Sequence, residues 1–268
     1  MIFRCESFAE RPGITRFNCV FLALGGACLL MSSAAHADQP YCESQWLKPN
    51  TRLSGSVDGA TARFSVQVNQ VSGNGAGQCT AQLTVDADAP IAGQRVQGTG
   101  PFTLTVNQGR STLNGSFAAS GLMNTNMKTS VDSALNGYFL KPADTVTPGE
   151  TLPPLSGNSN VNLTIALQNG VPLNQINVSN ATISTGPRKV GKLQSHATSV
   201  GTLQCMPVTY TATTSSGNLS GVASSNGNAA RSGTAQVTDW YCPEKGLTME
   251  SVITRGSQTT RVVINSIQ

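Results

Sequence analysis

Apolar residues recur at every second position in short segments spread along this 268-residue chain. In the first half they run Phe64, Val66, Val68, then Ala81, Leu83, Val85, then Phe102, Leu104, Val106. In the second half the same alternation returns at Val161, Leu163, Ile165 and Leu167, at Val208, Tyr210 and Ala212, and at Val262 and Ile264. A period of two puts each set on one face of an extended strand, which is the pattern of a half-buried β-sheet. Clusters of Gly, Ser and Asn separate the sets, as turns between strands require. The fold class this implies is all-β and antiparallel. One stretch departs from the rule: Met123, Met127, Val131 and Leu135 recur every fourth residue, which predicts one short helix.

Composition narrows the function classes. Charged residues make up 11% of the chain, against roughly 25% in ordinary soluble domains. The net charge of +4 is too small for a nucleic-acid binder, and the charge deficit with alternating apolar runs excludes a disordered chain or a coiled coil.

Residues 1–37 have the order of a secretory signal: Arg4, Arg11 and Arg16, an uncharged run to Met31, then Ala35-His36-Ala37 as the cleavage sequence, with cleavage expected after Ala37. The apolar core from Val20 to Met31 is too short to span a bilayer, and no later run approaches the length of a transmembrane segment. The expected location is the periplasm or the extracellular space.

Four cysteines lie beyond the signal, Cys42, Cys79, Cys205 and Cys242, and in an exported chain an even number reads as two disulfides. Three pairings are formally possible. Cys42 with Cys79 and Cys205 with Cys242 share a separation of 37 and keep each bridge within one half, which selects that pairing. No C-x-x-C is present and His196 is the only histidine after the signal, so neither a zinc site nor a redox pair is expected. Between the halves lies a Pro-rich connection at 142–160, read as crossing from an N-terminal β half (38–141) to a C-terminal one (161–268), the two forming one continuous domain.

Two segments of the C-terminal half carry a resemblance. Gly201-Thr202-Leu203-Gln204-Cys205 leading to Tyr210, and Trp240-Tyr241 followed by Gly246-Leu247, resemble the strand and strand-turn of TapB-like periplasmic proteins, a family related to domain of unknown function 3108. The closing segment from Val262 to Ile267 also resembles that family's last strand, so the resemblance covers about the last seventy residues. It implies a curved, open β-sheet in the bacterial envelope and no enzyme activity. The expected architecture is therefore a strongly curved sheet or open half-barrel. Independently of the family, Trp240 and Tyr241 must point to opposite faces, one to anchor the core and one partly wet, with Pro243 and Gly246 turning the chain.

Catalytic signatures are sparse. There is no G-x-S-x-G elbow, and His196 reads as a lone surface side chain. Asp86 and Asp88 share one face of a strand end and read as an exposed terminus, since a calcium ion needs six to eight oxygens. Gly73, Gly75 and Gly77 precede a strand and not a helix, so they form a hairpin turn and no phosphate loop. Arg188, Lys189 and Lys192 form a basic cluster that reads as a solvated turn, with a surface contact for lipid headgroups or an acidic partner as the functional alternative. No cofactor is implied. The expected function is therefore that of an exported, non-enzymatic β protein of the bacterial envelope, which binds a hydrophobic or glycan ligand or serves as an assembly scaffold. A protein-interaction module is the alternative, and a hydrolase using Asp239, Glu244 and Glu250 the third reading. A deep apolar groove would mark a carrier, and a filled interior a scaffold.

Overall fold

A computed structural model describes residues 41–57, 62–73, 78–91, 94–122, 125–139, 146–221 and 232–268. The signal with its Ala37 cleavage point, Gly75, Gly77, Met123 and Pro142 lie outside the described residues. The strands are β1 (Arg52–Val57), β2 (Ala62–Gly73), β3 (Cys79–Ile91), β4 (Gln94–Asn107), β5 (Arg110–Leu122) and β6 (Thr125–Asn136). There follow β7 (Thr151–Leu152), β8 (Ser156–Leu167), β9 (Pro172–Thr185), β10 (Arg188–Val190) and β11 (Gln194–Thr198). The chain closes with β12 (Gly201–Ser215), β13 (Asn218–Gly221), β14 (Ser232–Cys242), β15 (Leu247–Arg255) and β16 (Gln258–Ile267).

Several of these segments are pieces of one longer strand. Leu152 opposite Arg188 and Ser156 opposite Ser184 keep a single register, so β7 and β8 are one strand interrupted at Pro153–Leu155, where proline has no N–H to donate. Ser215 opposite Thr182 and Asn218 opposite Ser179 likewise join β12 to β13 across a kink at which Asn180 and Gly217 both have positive φ. The segments β9, β10 and β11 run in turn along β12, slipping register between them. Joined in this way the sheet is a meander of twelve antiparallel strands. The first and last, β1 and β16, pair with each other, from Leu53 opposite Ile267 to Val57 opposite Val262. The sheet is thus strongly curved, as the resemblance of the last seventy residues implies, and its first and last strands pair, which closes the half-barrel. The Pro-rich connection lies in the chain between β6 and β8, which are hydrogen-bonded neighbours.

The expected helix is a strand. Met127, Val131 and Leu135 lie on β6, and a spacing of four is also an even spacing. Between them Thr129 and Ser133 face the same way and are buried, so short polar side chains disguised the period of two.

The alternation sets the polarity of the barrel. Leu83, Phe102, Leu113, Met127 and Leu163 lie in one apolar cluster on the lumen side, while the opposite positions carry Thr, Ser, Asn, Gln and charged groups. A membrane-spanning barrel has the reverse, an apolar band on the outside. Tight curvature comes from cross-strand pairs of glycine with a large side chain. The Phe64 ring lies over Gly55, Phe102 over Gly115 and Phe117 over Gly98, and a Cβ at any of these glycines would run into the ring. Gln108 and Gly109 both have positive φ, as the two-residue turn between β4 and β5 requires.

One end of the barrel is plugged by the N-terminal segment. Tyr41, Trp46 and Leu47 are fully buried in the same apolar cluster. Tyr41 stacks on Tyr138 at 4.5 Å, meets Trp46 edge-on at 5.8 Å and donates its hydroxyl to the Phe139 carbonyl at 2.6 Å. The Cys42–Cys79 disulfide ties the plug to the start of β3.

Candidate functional site

Three arrangements of polar side chains stand out: one in the lumen, two on the outer wall. The lumen set surrounds Asp239 on β14. Tyr210 donates to its Oδ2 at 2.7 Å and Ser251 to its Oδ1 at 2.6 Å. Burial raises the Asp239 pKa from 3.8 to about 6, against the opposing pull of the two hydrogen bonds and of the nearby Arg188. Burial likewise raises the Tyr210 hydroxyl well above its usual range and lowers Arg188 to about 10.

Arg188 corrects the expectation of a basic surface cluster. It faces inward and is completely buried, with its Nε and Nη2 donating to the Pro153 carbonyl at 2.9 and 2.8 Å. Strand β10 alternates, so Val190 also points inward while Lys189 is exposed, and Lys192 is exposed beyond the strand. Arg188 is therefore separated from the two lysines by the barrel wall.

The second arrangement lies outside, where β11 and the first residues of β12 form a hairpin folded back over β14 and β15. His196 stacks on Trp240, with ring centroids 3.9 Å apart and planes at 7°. Its Nε2 is 2.8 Å from Glu250 Oε2, and Arg261 holds the other carboxylate oxygen from Nε and Nη2, each at 2.6 Å. The solitary histidine is thus a half-buried packing group and no free surface imidazole. Leu203, Leu247 and the Cys205–Cys242 disulfide are buried here, the disulfide linking β12 to the end of β14. Trp240 and Tyr241 do point to opposite faces, Tyr241 into the lumen cluster and Trp240 under His196. Pro243–Gly246 form the following turn, in which Gly246 has φ of +63°. The three carboxylates of the hydrolase reading do not converge: Asp239 is in the lumen, Glu250 is outside, and Glu244 is exposed in the turn.

The third arrangement is an open depression of about 500 Å³ on the outer face of β2 to β5. Two cross-strand rows line it, one of Arg63, Asp88, Gln97 and Ser120, the other of Ser65, Asp86, Thr99 and Ala118. Asp86 Oδ2 accepts from Ser65 at 2.9 Å and from Arg52 at 3.3 Å. Asp88 Oδ2 accepts from both Nε and Nη2 of Arg95 at 2.9 and 2.7 Å. These aspartates were expected at an exposed strand end. They sit within β3, whose pairing with β2 ends at Asp88 and whose pairing with β4 carries the strand on through Pro90 to Ile91. Sequence reasoning passed over the depression itself, since Gln, Ser and Thr on an outward face read as ordinary solvated positions. The available signal was Gly98-Thr99-Gly100-Pro101, an unusual run within a strand. Among the described residues no group of three or more His, Cys, Asp and Glu is placed to hold a metal.

No protein family and no curated protein matches this chain. Two solved structures are similar to it. One is a protein described as exported, with a YmcC-like fold, from Bacteroides fragilis, at 13% identity and a TM-score of 0.44, covering 82% of this chain and 96% of that one. The other is a protein described as a lipoprotein, from Parabacteroides distasonis, at 13% identity and a TM-score of 0.42, covering 83% of this chain and 96% of that one.

Proposed function

We propose that this protein is a non-catalytic, extracytoplasmic β-barrel of the bacterial envelope that acts as a rigid scaffold through its outer face. The observation that carries this reading is the packed lumen. One apolar cluster runs from the Tyr41–Trp46 plug past Leu104 and Phe102 to Ala119 and Ile165, with Phe64, Val66, Val85 and Val131 partly buried against it, so the barrel's own side chains fill much of the space an internal cargo would need. The secretory order of residues 1–37 and the two disulfides support an oxidising compartment, and the resemblance of the last seventy residues to TapB-like proteins supports the envelope. Among the described residues no helix is long and apolar enough to cross a membrane. The test is native mass spectrometry of the exported protein, gently purified. A mass equal to the processed chain with both disulfides is expected, and a retained lipid would overturn the scaffold reading in favour of a carrier.

A protein-interaction role is favoured by one separate observation. The tip of the β8–β9 hairpin exposes Leu167, Val171 and Leu173, the last two at about half of their surface. A photo-crosslinking residue at Val171 is expected to capture a protein partner in the envelope, and an empty crosslink there would remove this role for the tip.

A further inference from the structure

We propose that the depression on the outer face of β2 to β5 is a binding site for a neutral saccharide. The inference rests on the reading that the barrel works through its outer face, and it names the ligand class.

The depression is built into the backbone. Gly98 and Gly100 face the lumen on β4, where a Cβ at Gly98 would strike the Phe117 ring and one at Gly100 the carbonyl of Ser116. The β4–β5 ladder is interrupted there, with Thr99 opposite Ala118 and the next pair at Phe102 and Gly115. On the outer side of this bend the floor carries short side chains, Ser65, Thr99, Ala118 and Ser120, and longer ones stand around it. A volume of about 500 Å³ falls in the range of small-ligand sites, roughly 300–1,000 Å³.

The lining selects the chemistry. Hydroxyls at Ser65, Thr99 and Ser120 and the amide of Gln97 both donate and accept, Arg63 donates, and the aspartates accept. Both aspartates are already counter-charged, Asp86 by Arg52 and Asp88 by Arg95, which leaves Arg63, among the described residues, as the unpaired charge of the lining, at an exposed position where water screens it. With only two carboxylates, each engaged through Oδ2, a hard cation would find too few oxygens. An apolar ligand would desolvate this polar floor without replacing its hydrogen bonds. Vicinal hydroxyls of an uncharged sugar offer both donors and acceptors at this spacing.

The test is an amide NMR titration of the disulfide-intact protein with neutral di- and trisaccharides: maltotriose, cellotriose, chitobiose and lactose. At least one is expected to give saturable shifts confined to the amides of β2 to β5 around Ser65, Asp88, Gln97 and Ser120. Gln97→Ala and Asp88→Asn are each expected to weaken that binding by about tenfold. Thr211→Ala, on the outer face of β12 away from the depression, is expected to leave it unchanged. The spectrum of each variant reports directly whether it is folded, and Gln97→Ala removes no ion pair. Shifts that map elsewhere, equal binding by Gln97→Ala and wild type, or no saturable shifts with any of the four sugars would overturn the proposal. None of these results touches the packed lumen, so the scaffold reading stands or falls separately on the native mass measurement.

Discussion

Two carboxylates at nearly the same level of the β14–β15 pair, Asp239 and Glu250, are buried to nearly the same degree, at 1% and 4% exposure, and are stabilised in opposite ways. In register Asp239 sits opposite Ser251 and Glu250 opposite Trp240, so the barrel wall alone divides them. On the lumen side Asp239 receives two neutral hydroxyl hydrogen bonds, while the nearby Arg188 donates to the Pro153 carbonyl, and desolvation wins: its pKa rises to about 6. On the outer side Glu250 is gripped by both donor nitrogens of Arg261 and by His196, with Arg261 half in solvent. Depth of burial therefore does not set the electrostatic character of a group in this wall. What decides it is where the counter-charge spends its hydrogen bonds: in the lumen Arg188 donates to the Pro153 carbonyl, and on the outer face Arg261 donates to Glu250 directly.

The sharpest way to break this comparison is to truncate each acid. Asp239→Ala strands the Tyr210 and Ser251 hydroxyls and removes the anion facing buried Arg188, and should lower the unfolding free energy by about 3–5 kcal/mol in a denaturant titration at neutral pH. A loss under about 1 kcal/mol would show that the lumen set is dispensable.

Next in size is the pH dependence. Because the folded pKa of Asp239, about 6, lies above its unfolded value of 3.8, the folded state binds the proton more tightly in that window. Stability should increase as pH falls from 7 toward 4 and be lost as pH rises through 6, by about 3 kcal/mol from this group. Asp239→Asn should flatten that part of the curve, and an unchanged slope in that variant would assign the titration to other groups.

On the outer side, Trp240→Ala removes the platform under His196 and part of the cover over Leu203, and is expected to cost about 2–3 kcal/mol. Thermal unfolding with the disulfides intact would read this. The smallest effect is expected for Glu250→Ala, about 1–2 kcal/mol, because Arg261 can turn to water once its partner is gone. An outer loss as large as that of Asp239→Ala would erase the distinction between the two faces.

Much of this arrangement is legible residue by residue. The alternation marks the lumen positions of β2, β3, β4 and β8 directly, and Tyr241 inward with Trp240 outward follows from adjacency on one strand. The shared separation of 37 selects the two bridges that form. Illegibility begins where polar residues do an apolar residue's work. Thr129 and Ser133 hide the face of β6, and Ser133 satisfies its hydroxyl against Ser159 across the ladder at 2.7 Å, which no local pattern announces. Arg188 misleads for a related reason. Beside Lys189 and Lys192 it looks solvated, yet the Pro153 carbonyl, freed where the β7–β8 strand breaks, gives its guanidinium an acceptor inside. The depression escapes notice because its rows gather side chains from four strands, each of them unremarkable alone.

The sequence by itself determined the all-β class, the apolar side of β2, β3, β4 and β8, the charge-poor composition and the cysteine pairs, because a period of two and a turn signal are local properties of the chain. Only the tertiary structure decided that β1 meets β16, that the N-terminal segment plugs one end, and that Asp239 and Glu250 lie on opposite sides of one wall. Closure depends on twist and bend accumulated over twelve strands, and the effective dielectric around a side chain depends on what the whole sheet encloses.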